Sequence, residues 1–281
     1  MIPAGAFGIL AGLASALVWG TGDFVGGAAT RRSTPFRVVA LSSVAAVCLM
    51  IPVAILSGEP FPSPRTISWS LAAGVSGALG IAALYRGLAG GAAAVVAPTS
   101  AVTAAAIPVA AGTILRSLPS PTDLAGILVG LIGIWLISSP GRAAAPANAS
   151  TVSLGLLAGL GFGGFFVLIA QVDPGAILAP VVLVKVAALT VGLAVLVWRR
   201  EGLPSPRSNP LALVSGVLDT GGNLFFLVSA QAASLAVAAV LASMYPAVTV
   251  ALSALIFRER IERRQLVGVV LCVVAVVLIS L

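Results

Sequence analysis

The chain consists of two similar halves. Residues 71–139 and 213–281 align without a gap at a constant offset of 142 residues, and residues 8–13 match residues 155–160 at an offset of 147. Glycines recur at equivalent positions of the longer segments: Gly74 with Gly216, Gly80 with Gly222 and Gly126 with Gly268. Because one spacing is kept over so many residues, the sequence predicts a duplicated domain.

Composition places this duplicated chain in a membrane. Of its 281 residues, 59% are hydrophobic and 8% are charged, whereas a globular domain carries roughly a quarter charged residues. A spanning helix needs about 20 mostly apolar residues. The apolar runs do not alternate with polar residues, as the strands of a membrane β-barrel would. The sequence therefore predicts an all-α integral membrane protein.

Ten apolar stretches divide equally between the two halves. We expect transmembrane helices near residues 5–26, 38–57, 69–89, 93–115, 123–139, 152–171, 177–198, 211–231, 233–257 and 264–281. A first five-helix repeat then covers 1–139, a linker covers 140–151, and a second five-helix repeat covers 152–281. Because five is odd, the second repeat is inverted in the membrane relative to the first. Inverted repeats are an architecture of transporters, whose substrate site lies between the repeats near the bilayer midplane.

Arginines concentrate in the loops of one side of the predicted bundle. The loops after the first, fifth, seventh and ninth helices contain eleven arginines, whereas the loops of the opposite side contain two, Arg65 and Arg116. Loops with an excess of positive charge face the cytoplasm. We therefore expect Arg31, Arg199 and Arg260 to face the cytoplasm and both termini to lie outside.

The sequence gives little support for other classes of function. It has no histidine, no G-x-S-x-G elbow, no P-loop and no cluster with metal-ligand spacing, so we expect no enzyme, no metal and no cofactor. Nucleic acid is not an expected partner, because the arginines lie at helix ends without interleaved aromatic residues. Residues 20–23 spell the G-x-G-D motif of intramembrane aspartyl proteases, with Asp219 as a possible second carboxylate. A passive accessory subunit is a further alternative.

Several segments resemble the repeat of EamA-type members of the drug/metabolite transporter superfamily. Residues 236–246 read AVAAVLASMYP, residues 258–260 read RER, and residues 265–268 read QLVG at the start of the last helix. Residues 16–20, ALVWG, are similar to the start of the same repeat. The resemblance covers essentially the whole chain as two five-helix units. It implies efflux or uptake of small metabolites, with amino-acid export a frequent bacterial role.

Polar and aromatic side chains within the predicted spans are candidates for a substrate site. Trp19, Tyr85 and Tyr245 each combine a ring with a polar group, which suits amphipathic ligands. Asn223 and Ser243 are polar groups in the eighth and ninth predicted helices. We expect these five side chains to line one central cavity. Packing between helices or anchoring at the lipid interface is the alternative for each ring.

Two charged residues, Asp219 and Lys185, fall near the middle of their predicted spans. A charge at the bilayer centre costs about 2.5–3.5 kcal/mol on insertion scales. Either the two residues neutralise each other, or Asp219 lines the cavity and binds an ammonium group or a proton. Asn223 follows Asp219 by four residues and shares its helix face. We expect Asp23 and the other carboxylates to lie nearer helix ends or loops.

Three prolines within the predicted spans are candidate hinges. Pro98, Pro108 and Pro246 remove helix hydrogen bonds and are expected to kink their helices. The sequence thus predicts a secondary transporter of the cell (inner) membrane that exports small organic metabolites, above all amino acids, by alternating access. A multidrug or cationic-compound efflux pump is the alternative. The expected partners are the small-molecule substrate and the lipid bilayer, and we expect a monomer or weak homodimer.

Overall fold

The computed structural model of the protein describes residues 4–30, 33–89, 93–115, 120–138, 149–203, 205–257 and 262–280, which form helices and loops without a β-strand. Within these ranges the α-helices are α1 (Ala4–Thr30), α2 (Pro35–Leu56), α3 (Pro64–Ala89), α4 (Ala93–Leu115), α5 (Pro121–Ser138), α6 (Ala149–Ile169), α7 (Leu178–Trp198), α8 (Pro210–Ala232), α9 (Leu235–Ala242), α10 (Tyr245–Phe257) and α11 (Arg263–Ser280). A short 3-10 turn, Pro206–Ser208, precedes α8.

Four helices begin at a proline, earlier than the hydropathy predicts. The helices α2, α3, α5 and α8 start at Pro35, Pro64, Pro121 and Pro210. A proline at the first helical position sacrifices no hydrogen bond, because the N–H there has no intrahelical partner. The apolar runs begin one to five residues later, so hydropathy alone misses these first turns.

The single helix predicted at 233–257 is divided in the structure. A turn at Ser243 and Met244 separates α9 from α10. Pro246 accounts for the break, because it has no N–H to donate to Ala242 and its ring would clash with that carbonyl in a continuous helix. The expectation of one continuous ninth helix is therefore wrong.

Six helical segments of the described chain are long and apolar enough to cross a membrane: Gly5–Thr30, Pro35–Leu56, Pro64–Leu84, Ala149–Ile169, Leu178–Trp198 and Pro210–Ala232. Shorter apolar segments occur at Thr99–Ala111, Pro121–Leu136 and Leu235–Thr249. Large apolar side chains such as Leu10, Leu128 and Val270 are exposed, which suits a surface in contact with lipid. The protein is a multi-pass membrane protein, and the number of ten spans stays a prediction.

The helices pack in pairs that correspond under the repeat. The helices α1 to α3 correspond to α6 to α8, α4 corresponds to α9 with α10, and α5 corresponds to α11. Accordingly, α1 packs against α8 as α6 packs against α3, and α4 packs against α6 as α9 and α10 pack against α1. The pairs α2 with α7 and α5 with α11 are their own counterparts. This pattern is the one expected of two repeats related by a two-fold axis.

Equivalent glycines allow close approach of the two repeats. A methyl group at Gly74 in α3 would lie 2.6 Å from the carbonyl oxygen of Val184 in α7. A methyl group at Gly216 in α8, 142 residues later, would lie 2.8 Å from Cα of Ser42 in α2. Small residues at such contacts let membrane helices pack backbone to backbone. The α3–α7 and α8–α2 contacts therefore depend on glycine.

Equivalent glutamates fasten the two ends of the α2–α7 pair. Glu59, which follows α2, accepts hydrogen bonds from the backbone N–H groups of residues 177, 178 and 179 at the start of α7, over 2.8–3.3 Å. Glu201 follows α7, accepts a hydrogen bond from Thr34 Oγ1 at 2.9 Å, and lies 3.3 Å from Arg37 Nε in the first turn of α2. Both ends of the pair are thus closed by a carboxylate.

The turns that carry these glutamates share a backbone conformation. Gly58 has φ of 69° and Arg200 has φ of 54°, each just before its glutamate. Glycine adopts this left-handed conformation freely, whereas a side chain such as that of arginine is disfavoured there. Residues 62–65 and 204–207 both read PSPR at the same offset of 142. The repeat therefore extends back to the end of α2 and of α7.

A further carboxylate ties the α6–α7 loop to the start of α3. Asp173 accepts hydrogen bonds from the hydroxyl groups of Ser63 and Thr66, the latter at 2.7 Å. The backbone N–H of Asp173 donates to Thr66 Oγ1 at 3.1 Å. The hydroxyls of Ser63 and Thr66 lower the pKa of the Asp173 carboxyl, because they stabilise its charged form. The loop is thereby held at the same end of the molecule as Glu59.

Candidate functional site

A cavity of about 140 Å³ lies between helices of both repeats. Its walls come from α1, α2, α3 and α4 of the first repeat and from α6, α7, α8 and α10 of the second. A cavity of about 10–15 Å³ holds one water molecule. The cavity therefore has room for a small organic molecule.

One wall of the cavity is a cluster of aromatic rings. The ring of Trp19 lies 5.7 Å from that of Phe166 and 6.3 Å from that of Phe165, measured between centroids, and all three residues line the cavity. Phe226 lies behind them, stacked on Phe166 at 4.5 Å. The Trp19 indole N–H donates to the backbone carbonyl of Asp219 at 3.2 Å. The cluster therefore presents a fixed apolar face to a ligand.

An ion pair lines the same cavity as these rings. Lys185 Nζ in α7 contacts Asp219 Oδ2 in α8, and both residues line the cavity. The lysine side chain is only 5% exposed, whereas the aspartate side chain is 43% exposed. A buried ammonium needs an anionic partner, and Asp219 is that partner for Lys185. It also leaves part of the Asp219 carboxylate open to the cavity.

The structure corrects the expected position of Asp23. Helix α1 continues to Thr30, so Asp23 lies within it rather than at its end, and it lines the same cavity as Asp219. Asp219 is therefore not the single carboxylate of the interior.

The five predicted substrate residues have different places. Trp19, Asn223 and Tyr245 line the cavity. Ser243 is fully buried at the end of α9, and its Oγ has no hydrogen-bond partner among the described residues. It is absent from the described cavity wall. The side chain of Tyr85 lies outside the described residues.

The predicted hinge prolines differ in their surroundings. Pro98 and Pro108 belong to α4, which runs without interruption. Pro108 is buried, and the side chain of Pro98 lies outside the described residues. Pro246 is the second residue of α10, directly after the break from α9. Their role as hinges stays a prediction.

The chain matches the EamA-like transporter family over residues 6–139 and again over residues 149–281. The chain belongs to this family. The match confirms the resemblance and gives each repeat its own copy of the family's unit. EamA-like transporters are membrane transporters, and the cavity between the repeats is the corresponding candidate site.

Solved structures agree with the fold of this EamA-like transporter. One crystal structure is similar with a TM-score of 0.77 and 16% sequence identity, and the alignment covers 98% of each chain. At that identity the similarity shows the fold alone. A comparison with curated protein sequences finds no match.

Sequence reasoning missed Asp23 as a cavity residue of this EamA-like transporter. The apolar run was taken to end near residue 26, which placed Asp23 in its last turn. The signal that could have corrected this lies in residues 24–30, FVGGAAT, which contain no charge and allow the helix to continue. The contacts of Glu59 and Glu201 at the two ends of the α2–α7 pair were also not predicted, although the two residues are 142 positions apart like the rest of the repeat.

Proposed function

We propose that this EamA-like transporter is a secondary transporter that exports small organic metabolites across the cell (inner) membrane, with amino acids as the favoured substrate class. The observation that carries the proposal is the cavity between the repeats, which contains an ammonium group, carboxylates and an aromatic wall. Alternating access around a site between inverted repeats is the transport mechanism that suits this architecture.

The mixed charge of the cavity favours a zwitterion over a simple anion or cation. An amino acid carries a carboxylate that can bind Lys185 and an ammonium group that can bind a carboxylate. An arrangement of opposite charges recognises such a ligand and disfavours molecules that lack one of the two groups. The rings of Trp19, Phe165 and Phe166 would receive an apolar side chain.

Efflux of cationic compounds is the second candidate. Two carboxylates and one ammonium group line the described cavity, and aromatic faces attract cations. A hydrophobic cation would use Asp23 and the rings without needing Lys185. Substitution of Lys185 therefore separates the two candidates, because only the zwitterion needs the ammonium group.

Proteolysis is a weaker reading of the two aspartates. An aspartic-protease dyad shares one proton between two adjacent carboxyl groups. In this molecule the Asp219 carboxylate is paired with the ammonium of Lys185 instead. The family and this ion pair both favour transport over an intramembrane protease or a passive accessory subunit.

Flux from liposomes tests the proposal. The purified full chain would be reconstituted and assayed with a panel of labelled amino acids and cationic dyes, beside protein-free liposomes. We expect saturable amino-acid flux that Lys185→Met reduces at least tenfold. Dye flux that survives Lys185→Met would favour the cation pump, and absence of any flux together with cleavage of a membrane peptide would favour the protease.

Coupling through Asp219 is tested with the same liposomes. If Asp219 carries a coupling proton, wild-type flux depends on an imposed pH gradient and Asp219→Asn removes that dependence. Full dependence in the variant would rule out Asp219 as the coupling group.

A further inference from the structure

Three charged side chains line the described part of the cavity, and two of them neutralise each other. Lys185 pairs with Asp219. Within the described residues, Asp23 makes no ion pair with a lysine or an arginine. It lies on the cavity wall together with Asp219 of α8 and Tyr245 of α10. A carboxylate that lines a cavity is stabilised in its charged form by a cationic group placed close to it.

Helix α1 is clamped where it presents Asp23. Thr249 Oγ1 in α10 donates to the carbonyl of Gly20 at 3.0 Å, and Ser215 Oγ in α8 donates to the carbonyl of Gly22 at 3.3 Å. The two bonded carbonyls belong to the residues three positions and one position before Asp23. The backbone just before Asp23 is therefore held by two neighbouring helices.

The glycines before Asp23 make this clamp possible. A methyl group at Gly20 would lie 2.6 Å from Val248 Cβ in α10. A methyl group at Gly22 would lie 3.2 Å from Leu218 Cβ in α8. Close approach on both sides needs small residues. The two glycines of the G-x-G-D segment thus let α1 pack closely against α8 and α10. The aspartate that follows them, Asp23, lies in the cavity wall.

We propose that Asp23 binds the ammonium group of the transported substrate. This inference rests on the proposed function and assigns the primary-amine part of the substrate to one residue of the first repeat. Asp219 is less suited to that task because its carboxylate already holds Lys185. The substrate carboxylate would then lie toward Lys185, so that a zwitterion extends from α1 to α7.

The inference is tested with two ligands that differ by one group. Labelled leucine and labelled 4-methylpentanoate, which is leucine without its amino group, would be measured for equilibrium binding to the full chain in detergent micelles. We expect Asp23→Asn to raise the Kd of leucine at least tenfold and not to raise that of 4-methylpentanoate, which has no ammonium group for Asp23 to bind. Asp23→Glu, which restores the charge, should recover part of the affinity for leucine.

A matched carboxylate outside the cavity provides the control. Asp123 lies in the first turn of α5 and hydrogen-bonds Ser120 at an exposed site, and Asp123→Asn makes the same chemical change there. It should leave both affinities at their wild-type values. Equal loss of both ligands in Asp23→Asn would indicate a general structural effect and overturn the inference.

The outcomes separate this inference from the proposed function. If the wild-type protein binds leucine and Asp23→Asn binds it with the same Kd, the assignment of Asp23 is overturned while amino-acid transport stands. If the wild-type protein neither binds leucine nor transports any amino acid of the panel, the proposed function fails and the inference fails with it.

Discussion

The two repeats contribute equivalent positions to the cavity but different chemistry. Within α2, α3, α7 and α8, eight lining residues form four pairs at the offset of 142, and one of these pairs, Ser42 with Val184, joins a hydroxyl with an apolar side chain. The other three pairs are Ser43 with Lys185, Gly77 with Asp219 and Ile81 with Asn223. In these three pairs the differences are larger. The second repeat has an ammonium, a carboxylate and an amide where the first has a hydroxyl, a glycine and an apolar side chain. Two copies of one fold therefore build one asymmetric site.

The contacts between the repeats are more alike than the cavity. Gly74 and Gly216 are identical at equivalent positions, and each lets its helix approach the other repeat. Glu59 and Glu201 are identical too, and each closes one end of the α2–α7 pair. Both members of such a pair must fit the same interface, whereas a ligand without two-fold symmetry places no equal demand on the two sides. The residues that pack the two repeats together are therefore the same in both repeats, whereas the residues that line the cavity differ.

Separating the ion pair should have the largest effect on stability. Asp219→Asn leaves the ammonium of Lys185 buried without its anion, and breaking such a pair costs about 3–5 kcal/mol. We expect the free energy of unfolding to fall by about 3 kcal/mol, the lower end of that range. The lower end applies because Asp219 is partly open to the cavity. Reversible unfolding by sodium dodecyl sulfate in mixed micelles would measure it.

The asymmetric burial of this pair gives the control. Lys185→Met leaves Asp219 with 43% of its side chain exposed, so its carboxylate can be hydrated and the loss should be clearly smaller. A loss for Lys185→Met that equals or exceeds that of Asp219→Asn would contradict this account of the pair.

Crowding the equivalent glycines should have the next largest effect. Gly74→Ala and Gly216→Ala each force a methyl group against the other repeat, and overpacking costs about 1–3 kcal/mol. Both variants should lose a similar free energy of unfolding. Gly27→Ala in α1 is the control, because a methyl group there meets no described atom within 4 Å, and alanine should raise helix stability by up to about 1 kcal/mol. A loss in only one of the two variants would show that the repeats are not equivalent at this interface.

The paired glutamates should differ in a smaller effect. Glu59 accepts three backbone N–H groups at a helix N-terminus, where its charge is favourable, so Glu59→Gln should cost about 1–2 kcal/mol. Glu201 contacts Arg37, whose side chain is 36% exposed, and Glu201→Gln should cost about 0.5 kcal/mol. The same unfolding measurement compares them. A larger loss of stability for Glu201→Gln would contradict this account, in which the three backbone hydrogen bonds of Glu59 contribute more than the contact of Glu201 with Arg37.

Acid should weaken one end of the molecule through Asp173. Its pKa is lowered by the hydroxyls of Ser63 and Thr66, so its contribution to stability is complete above the unfolded carboxyl pKa of about 3.9 and declines as pH falls through the folded value. Asp173→Asn should therefore be less stable than the wild type at pH 6, and the difference should shrink below about pH 4. If the difference in the free energy of unfolding between the two proteins stayed constant with pH, the charge of the Asp173 carboxylate would make no contribution to stability.

Much of the fold could be predicted from the sequence because membrane insertion depends on local composition. Apolar runs of about 20 residues gave most helices to within a few residues. Duplication fixed which helices correspond, and the odd number of spans in each repeat predicted the inversion. Proline starts such as Pro35 and Pro64 were missed because they lie outside the apolar run. The break before Pro246 was missed because the residues on both sides of it are apolar.

The candidate site was predicted less well because helix rotation is not visible in the pattern. Membrane helices are apolar on the face toward lipid and on the face toward neighbours, so the sequence does not indicate which side chains meet. Lys185 and Asp219 could be paired or separate until α7 and α8 were placed beside each other. Asp23 lies near the end of its apolar run, and only the continuation of α1 to Thr30 places it within a helix.

The sequence by itself determined that this protein is a duplicated, multi-pass membrane protein with polar groups held inside apolar helices, because composition and repeat spacing are properties of the chain. Only the tertiary structure decided that Asp23, Lys185 and Asp219 share one cavity and that Glu59 and Glu201 close opposite ends of one helix pair. Such contacts join residues as far apart as 229 positions, as between Gly20 and Thr249. They depend on the angle and depth at which helices pack, which local hydropathy does not encode.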